Sequence, residues 1–291
     1  MTTMIEVALN GPWGRERQPL MPITVEACID EGIACVRAGA AIVHVHAYDP
    51  ATGRQDDDWR TYARIIEGIR ARTDALVYPT IPLAGSGLTG EAATPEARFA
   101  HIEELGRRGL LEIAVVDPGT VNFDRNDRAA PGFVYFNPPA HIAAGLDACA
   151  RHDLRAGYAI YEAGFSRAGA LHAAARPGLR MPIYRFMFSD DYAWGFPPRP
   201  AYLDAHLALL AECAPAAAWM VAGLGVDVLP LAAHAVARGG HLRVGLEDAP
   251  WGTAVGNAAM VAAAAEAVAA AGGTVADPAE ARRILDRTGR V

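Results

Sequence analysis

Two histidines, His44 and His46, stand on either side of Val45 at the end of the strand-like run 41–46. Side chains of a β-strand alternate between its two faces, so both imidazoles are expected to point the same way. Two imidazoles on one face at a strand end can bind one divalent metal ion. Two buried histidines hydrogen-bonded to the backbone would show the same pattern, and the spacing alone leaves both interpretations open.

A carboxylate in the last apolar run, 242–247, is the natural third ligand. Alternation places Arg243 and Glu247 on one face of this strand, so Glu247 is expected to point into the protein. A buried carboxylate is costly unless it is paired or binds a cation. Two histidines and one carboxylate suit a catalytic Zn²⁺ ion, and also Fe²⁺ or Mn²⁺. The alternative for Glu247 is a salt bridge to Arg243.

Asp248 follows Glu247 at the point where the chain leaves the predicted strand. A carboxylate close to a cation keeps a low pKa, which suits a base that removes a proton from an acidified C–H group. Asp248 could equally cap the segment that follows. Arg243 could pair with Asp248 or with Glu247, or could fill the protein interior, and the sequence does not separate these possibilities.

Eight apolar runs rich in Val, Ile, Tyr and Phe alternate with helical stretches along the chain. The predicted strands are 5–10, 41–46, 75–80, 112–116, 155–161, 182–188, 218–224 and 242–247. The first predicted helix begins after Thr24, a plausible N-cap. The others are 59–72, 94–106, 140–152, 167–175, 202–213, 229–237 and 256–271. Eight such units predict an α/β fold, a single-domain (β/α)8 barrel, also called a TIM barrel, over residues 1–291. A doubly wound open sheet is the competing fold, but no predicted strand ends in a G-x-G-x-x-G motif.

The active site of such a barrel lies at the carboxyl ends of its strands. Strands two and eight are both even-numbered and contribute to the same interior layers, so His44, His46 and Glu247 are expected to converge. Four other polar residues end predicted strands or directly follow one and are candidates for binding substrate, namely Asn10, Thr80, Tyr161 and Glu162.

Composition narrows the class of partner. The 291 residues carry a formal charge of −7, which argues against nucleic acid as the main partner. No apolar stretch reaches membrane-spanning length, and the N-terminus does not resemble a signal peptide, so we expect no membrane partner. The four cysteines form no C-x-x-C pair and no disulfide-dense pattern, which predicts a reducing, cytoplasmic location.

The His-x-His segment 38–46, together with the segment 239–248, resembles the beta-keto acid cleavage enzyme family. Supporting similarities are at 22–24, 119–123, 137–139 and 219–225. The resemblance implies a (β/α)8 barrel with zinc bound by His44, His46 and Glu247. It also implies that Asp248 removes the C2 proton of a beta-keto acid, with Arg243 as its partner. The implied reaction with acetyl-CoA gives acetoacetate and a new acyl-CoA, and the implied assembly is a homo-oligomer, which the proline-rich loop 196–200 also favours.

The sequence departs from the family's pattern around the expected pocket. Trp13 stands where an acidic residue is usual, and Ala159 replaces a glutamate of strand five. Val115 replaces a polar residue at the end of strand four, while Tyr48 and Val226 stand where arginine is common. A pocket without those carboxylates has little to pair with a substrate ammonium group, so we expect a beta-keto acid with an uncharged or apolar tail.

Three other functions are the alternatives to this one. A metal-dependent hydrolase of the amidohydrolase kind would need further histidine ligands on strands five and six, and those predicted strands contain none. A retro-aldol-type lyase would use the same metal ligands, and a non-catalytic metabolite-binding barrel would keep the pocket without the chemistry.

Overall fold

The structure is a computed structural model that describes residues 1–83, 94–127 and 131–291. Its central sheet has eight strands, which are β1 (Ile5–Ala8), β2 (Ile42–Val45), β3 (Leu76–Pro79), β4 (Ile113–Val115), β5 (Arg155–Ile160), β6 (Arg180–Phe188), β7 (Trp219–Gly223) and β8 (His241–Val244). The α-helices of the described residues are α1 (Val25–Ala38), α2 (Trp59–Arg70), α3 (Pro95–Arg107), α4 (Pro139–Arg151), α5 (Gly164–Ala174), α6 (Pro200–Cys213), α7 (Ala232–Ala237), α8 (Asn257–Ala270) and α9 (Pro278–Arg287).

All eight strands are parallel, and their order in the sheet is β3-β2-β1-β8-β7-β6-β5-β4. The two end strands, β3 and β4, lie side by side without ladder pairing among the described residues, so the barrel is nearly closed. Each strand is followed by a helix that crosses back over the sheet, as parallel pairing requires. The predicted (β/α)8 barrel is therefore confirmed, and the open doubly wound sheet is wrong.

The strand register decides which side chains share the barrel interior. Glu6 of β1 pairs with Arg243 of β8, and Ala8 pairs with His44 of β2. His44 in turn pairs with Tyr78 of β3. Residues that pair across neighbouring strands point to the same face, so these charged and aromatic side chains meet inside the barrel.

Local signals explain where the helices begin. Thr24 accepts a hydrogen bond from the Ala27 N–H and caps α1, as predicted. Asp58 caps α2 in the same way. The predicted helix 229–237 is a 3₁₀ turn, Leu229–Leu231, followed by the short α7.

Helix α9 was not predicted, although Asp277 and Pro278 form an N-cap followed by a first-turn proline, which is a recognisable start signal. It lies beyond the eighth strand–helix unit, where the barrel pattern predicts nothing. Arg282 of α9 pairs with Glu112 and Asp74, and the buried Arg155 donates to the Leu285 carbonyl, so α9 packs against the amino ends of the strands.

Two short antiparallel hairpins follow strands at the carboxyl end of the barrel. Residues Tyr48–Asp49 pair with Arg54–Gln55 after β2, and Val121–Phe123 pair with Phe133–Tyr135 after β4. Both were absent from the predicted elements because each strand is only two or three residues long. Among the described residues, no helix is both long enough and apolar enough to cross a bilayer.

Candidate metal centre and active site

The side chains of His44, His46 and Glu247 meet at the carboxyl ends of β2 and β8. The His44 Nε2 atom lies 3.4 Å from Glu247 Oε2, and the His46 Nε2 atom lies 3.3 Å from Glu247 Oε1. One candidate ligand atom from each residue lies within 4.8 Å of the other two. Both histidines are buried, and Glu247 is partly exposed. The structure therefore brings together the three residues that the sequence predicted as metal ligands.

Glu247 reaches this position by a turn rather than by strand alternation. Strand β8 ends at Val244. Gly245 has a φ of +134°, a backbone conformation in which any residue with a side chain would be strained. A Cβ atom at Gly245 would lie 2.2 Å from the Ala8 carbonyl oxygen. A Cβ atom at Gly11 would lie 2.7 Å from Glu247 Cγ, so this glycine also leaves room for the Glu247 side chain. The predicted strand 242–247 is thus too long, although its inward carboxylate is placed as expected.

The donor atoms have the properties that metal ligands need. Burial lowers the pKa of His44 well below its ordinary value, more strongly than the nearby Glu247 carboxylate raises it. A neutral imidazole keeps the lone pair that binds a metal. The His46 Nε2 atom is buried without a hydrogen-bond partner in the described part of the chain. An unsatisfied nitrogen facing a carboxylate fits a site for a cation between them.

Arg243 pairs with both neighbouring acidic residues. Its Nε and Nη2 atoms donate to the two oxygens of Asp248 at 2.8 and 2.9 Å, and Nη2 lies 3.0 Å from Glu247 Oε2. Both of the pairings that the sequence allows for Arg243 therefore occur together, and Glu247 serves as a salt-bridge partner while facing the histidines. Burial raises the pKa of Asp248 to about 6, although Arg243 acts in the opposite direction.

A buried polar network continues from Arg243 across the barrel. Arg243 Nη1 donates to Glu6 Oε1 at 3.0 Å, and the same oxygen accepts the Tyr78 hydroxyl at 2.7 Å. Arg185 of β6 donates to the Tyr78 oxygen at 2.8 Å and lies 3.9 Å from Asp117. The sequence reasoning missed Glu6 and Arg185 as site residues. A charged residue inside an otherwise apolar strand was the available signal, because such a charge needs a buried partner.

A pocket at this end of the barrel has one polar wall and one apolar wall. The polar side chains lining it are His44, His46, Thr80, Asp117, Arg185, Arg243, Glu247 and Asp248. The other lining residues form the apolar wall, and most of them pack together in one hydrophobic cluster; they are Pro12, Trp13, Leu83, Val115, Phe123, Phe133, Tyr135, Ala159, Tyr161, Met187 and Leu224. The arrangement can hold a small polar group against the metal ligands while an apolar portion of the same molecule contacts the aromatic rings.

Comparison with known proteins identifies the family. Residues 2–286 match the beta-keto acid cleavage enzyme family. The chain belongs to this family.

Curated relatives resemble the chain over nearly its whole length. It is 30% identical to the 3-oxoadipate:acetyl-CoA acetyltransferase of Cupriavidus necator, covering 97% of this chain and 94% of the relative. It is 26% identical to the 3,5-dioxohexanoate:acetyl-CoA acetone transferase of Paraburkholderia graminis, covering 93% and 91%. It is also 26% identical to the 3-keto-5-aminohexanoate cleavage enzyme of Fusobacterium nucleatum, covering 93% and 92%.

Among solved structures, the chain resembles a ternary complex of ObcA with a C4-CoA adduct and oxalate. The TM-score is 0.75 at 19% identity, covering 92% of this chain and 67% of that chain. At this identity the similarity shows a shared fold and nothing more.

In this beta-keto acid cleavage enzyme, two of the four predicted substrate-binding residues line the pocket and two do not. Thr80 and Tyr161 line the pocket, and their role stays a prediction. Glu162 is exposed, and its backbone carbonyl accepts the Phe165 N–H at the start of α5. The chain turns into α5 directly after β5, which carries the Glu162 side chain to the surface instead of the pocket.

Asn10 holds His46, a candidate metal ligand, in place rather than facing the pocket. Its Nδ2 atom donates to the carbonyls of Pro22 and His46 at 2.8 and 2.9 Å, and its Oδ1 atom accepts the His46 N–H at 2.8 Å. The side chain is completely buried, so these bonds use the carboxamide within the protein. The expectation of substrate contact was based on its position at a strand end, and the structure gives Asn10 a positioning role instead.

We therefore expect Asn10→Ala to destabilise the protein, because it leaves the buried N–H and carbonyl of His46 unpaired. Each buried polar group left without a partner costs about 1–3 kcal/mol. Urea unfolding of the metal-free protein measures the loss. The control is Asn122→Ala at an exposed asparagine, expected to change the free energy of unfolding by less than about 0.5 kcal/mol. Equal stability of the two variants would contradict this role for Asn10.

Proposed function

We propose that the protein transfers the acyl group of a beta-keto acid to coenzyme A, using acetyl-CoA as the second substrate. A keto acid R–CO–CH₂–COO⁻ and acetyl-CoA give acetoacetate and R–CO–CoA, so every atom is conserved. The observation that carries the proposal is the contact between Arg243, Asp248 and Glu247 beside the two histidines, in a chain of this family. The names of the curated relatives support acetyl-CoA as the partner.

The proposed metal is Zn²⁺, held by His44, His46 and Glu247. Nitrogen and carboxylate donors of this kind suit zinc, and Fe²⁺ or Mn²⁺ are less favoured. A divalent ion bound by these residues would supply Lewis acidity, which favours loss of a proton from a carbon next to a keto group. The buried, unpartnered His46 Nε2 atom and the neutral state of His44 support this assignment.

Asp248 is the proposed base. It is buried, lines the same pocket as the histidines, and is fixed by two hydrogen bonds from Arg243. A base held in one orientation removes the C2 proton of a bound keto acid without first losing its own rotational freedom. Its pKa of about 6 leaves the carboxylate mostly ionised at neutral pH while keeping it basic enough to accept a proton.

The apolar wall of the pocket favours a substrate with an uncharged tail. Of the five positions where this sequence lacks a polar or charged residue usual in the family, three line this pocket, namely Trp13, Val115 and Ala159. The pocket also contains a carboxylate, Asp117, but its oxygens accept the Ala159 N–H at 2.8 Å and the Tyr135 hydroxyl at 2.7 Å. Since Asp117 also faces Arg185, it is not an unpaired anion that requires a substrate ammonium group.

The two remaining expectations concern assembly and location. The family resemblance supports a homo-oligomer, which light scattering after size exclusion tests directly. All four cysteines, Cys28, Cys35, Cys149 and Cys213, are free thiols, which supports a reducing, cytoplasmic location.

His46→Ala should abolish both metal binding and activity, because two remaining ligands bind a divalent ion poorly. Elemental analysis of protein never exposed to chelator gives the metal content, and acetoacetate release from acetyl-CoA and a panel of beta-keto acids gives the activity. His172→Ala, at a partly buried histidine of α5, is the matched control and should retain both. A wild-type protein without stoichiometric metal would refute the metal centre.

Asp248→Asn should keep the metal and lose turnover by about 10²–10⁴-fold, which is the usual contribution of a general base. Exchange of the C2 protons with deuterated water, followed by NMR without acetyl-CoA, isolates the proton-transfer step. Asp30→Asn, at an exposed position of α1, is the control for removing one carboxylate. If Asp248→Asn exchanged protons at the wild-type rate, the base would be another residue, with Asp117 the first to test.

The substrate preference is tested by comparing kcat/KM for 3-oxohexanoate, 3-keto-5-aminohexanoate and 3-oxoadipate. Burying an unpaired charge costs several kcal/mol, so we expect 3-oxohexanoate, whose tail is uncharged, to be preferred by about 100-fold or more. Among the described pocket residues, the two arginines are already paired with carboxylates, which also disfavours 3-oxoadipate. Preference for a substrate with a charged tail would refute the inference about the tail and leave the proposed reaction standing. Failure of every keto acid would refute the proposed reaction.

A further inference from the structure

Gln55 contacts the ring nitrogen of His46 that does not face Glu247. The hairpin after β2 brings Gln55 back toward the strand it left, and its Oε1 atom lies 2.9 Å from His46 Nδ1. The other ring nitrogen, Nε2, lies 3.3 Å from Glu247 Oε1. The two nitrogens of one imidazole therefore have separate neighbours, an amide on one side and the ligand cluster on the other.

The hydrogen bonds around Gln55 determine which nitrogen of His46 carries the proton. Gln55 Nε2 donates to Asp57 Oδ1 at 2.8 Å, and an ionised carboxylate can only accept. The amide oxygen of Gln55 must then be the atom that faces His46. Because an amide oxygen has no proton to give, the His46 Nδ1 atom must be the donor. The lone pair is left on Nε2, which points to Glu247.

Asp57 is itself held from the helix side of the barrel. The hydroxyl of Tyr62, a completely buried residue of α2, donates to Asp57 Oδ1 at 3.4 Å. Contacts thus run without a break from α2 through Asp57 and Gln55 to the His46 ring. Asn10 fixes the His46 backbone, so the ring and the backbone of this residue are held by different groups.

We propose that Gln55, oriented by Asp57, is a positioning residue that fixes His46 in the Nδ1–H tautomer and thereby sets the affinity of the metal centre. The inference rests on the proposed metal site. Groups that hydrogen-bond to a metal-binding histidine in this way typically change metal affinity by 10–100-fold.

The tautomer can be measured without any metal. Long-range ¹H–¹⁵N correlation spectra of the metal-free wild type, with His46→Gln used for assignment, show which ring nitrogen is protonated. We expect a protonated Nδ1 in the wild type and a mixture of tautomers in Gln55→Leu. An Nε2–H tautomer in the wild-type protein would overturn the proposal, whatever the protein's activity.

The affinity is measured by Zn²⁺ competition with a chromophoric chelator. Gln55→Leu should bind Zn²⁺ about 10–100-fold more weakly than wild type. Arg54→Ala, at the exposed neighbouring residue of the same hairpin strand, is the matched control and should bind as wild type does. Wild-type affinity in Gln55→Leu would overturn the proposal while leaving the metal centre of the proposed function intact.

A charge-conserving exchange separates positioning from a purely structural role. In the double variant Gln55→Glu/Asp57→Asn, the carboxylate would accept both the His46 Nδ1–H and the new amide N–H. We expect Zn²⁺ affinity within about threefold of wild type in the double variant, whereas Gln55→Leu stays weak. Equal loss in both variants, matched by equal loss of stability in the metal-free protein, would show that Gln55 only supports the hairpin.

Discussion

The guanidinium of Arg243 is the group on which the rest of the site depends. It pairs with Asp248 through two hydrogen bonds and with Glu6 and Glu247 at 3.0 Å each, and of these acidic residues Glu6 and Asp248 are buried. A buried ionised group without a partner costs several kcal/mol, and removing one partner of a buried pair typically costs about 3–5 kcal/mol. Arg243 therefore explains how two consecutive acidic residues can both lie in the interior, with Glu247 beside the histidines and Asp248, the proposed base, held in one orientation.

The charge of the whole network accounts for the position of the candidate metal centre. Two buried guanidiniums, of Arg243 and Arg185, face four carboxylates, of Glu6, Asp117, Glu247 and Asp248. Burial keeps His44 neutral, so this histidine does not balance the excess negative charge. A divalent cation between His44, His46 and Glu247 has the charge that this interior lacks. The electrostatics of this site therefore suit a cation, as its donor atoms do.

Much of this site could be predicted because strand periodicity is a local property of the sequence. The alternation of runs predicted the barrel, and the even-numbered strands predicted that His44 and Glu247 would converge. Glu247 reaches the histidines through a turn at Gly245, because the strand ends at Val244 and Gly245 has a positive φ. Gln55 could not be predicted, since its contact depends on a hairpin of two-residue strands whose register no pattern shows. Glu162 was misplaced for a related reason, the unpredicted length of the turn into α5.

The two walls of the pocket have different structural origins. The polar residues proposed for the chemistry and the apolar residues proposed for substrate preference therefore belong to different elements of the fold. The polar wall consists mainly of residues on or directly after strands, whose positions are fixed by the sheet register and by the pairs of Arg243. The apolar wall is built largely around Phe123 of the second hairpin, whose ring lies 5.1 Å from Tyr161 and 6.4 Å from Trp13. Loops tolerate substitution better than strands do, so the apolar wall can change while His44, His46 and Glu247 stay in place. Asp117 connects the two walls, because it accepts a hydrogen bond from Tyr135 of the hairpin and also faces Arg185. A change of substrate that required moving this hairpin would therefore disturb the buried charge network as well.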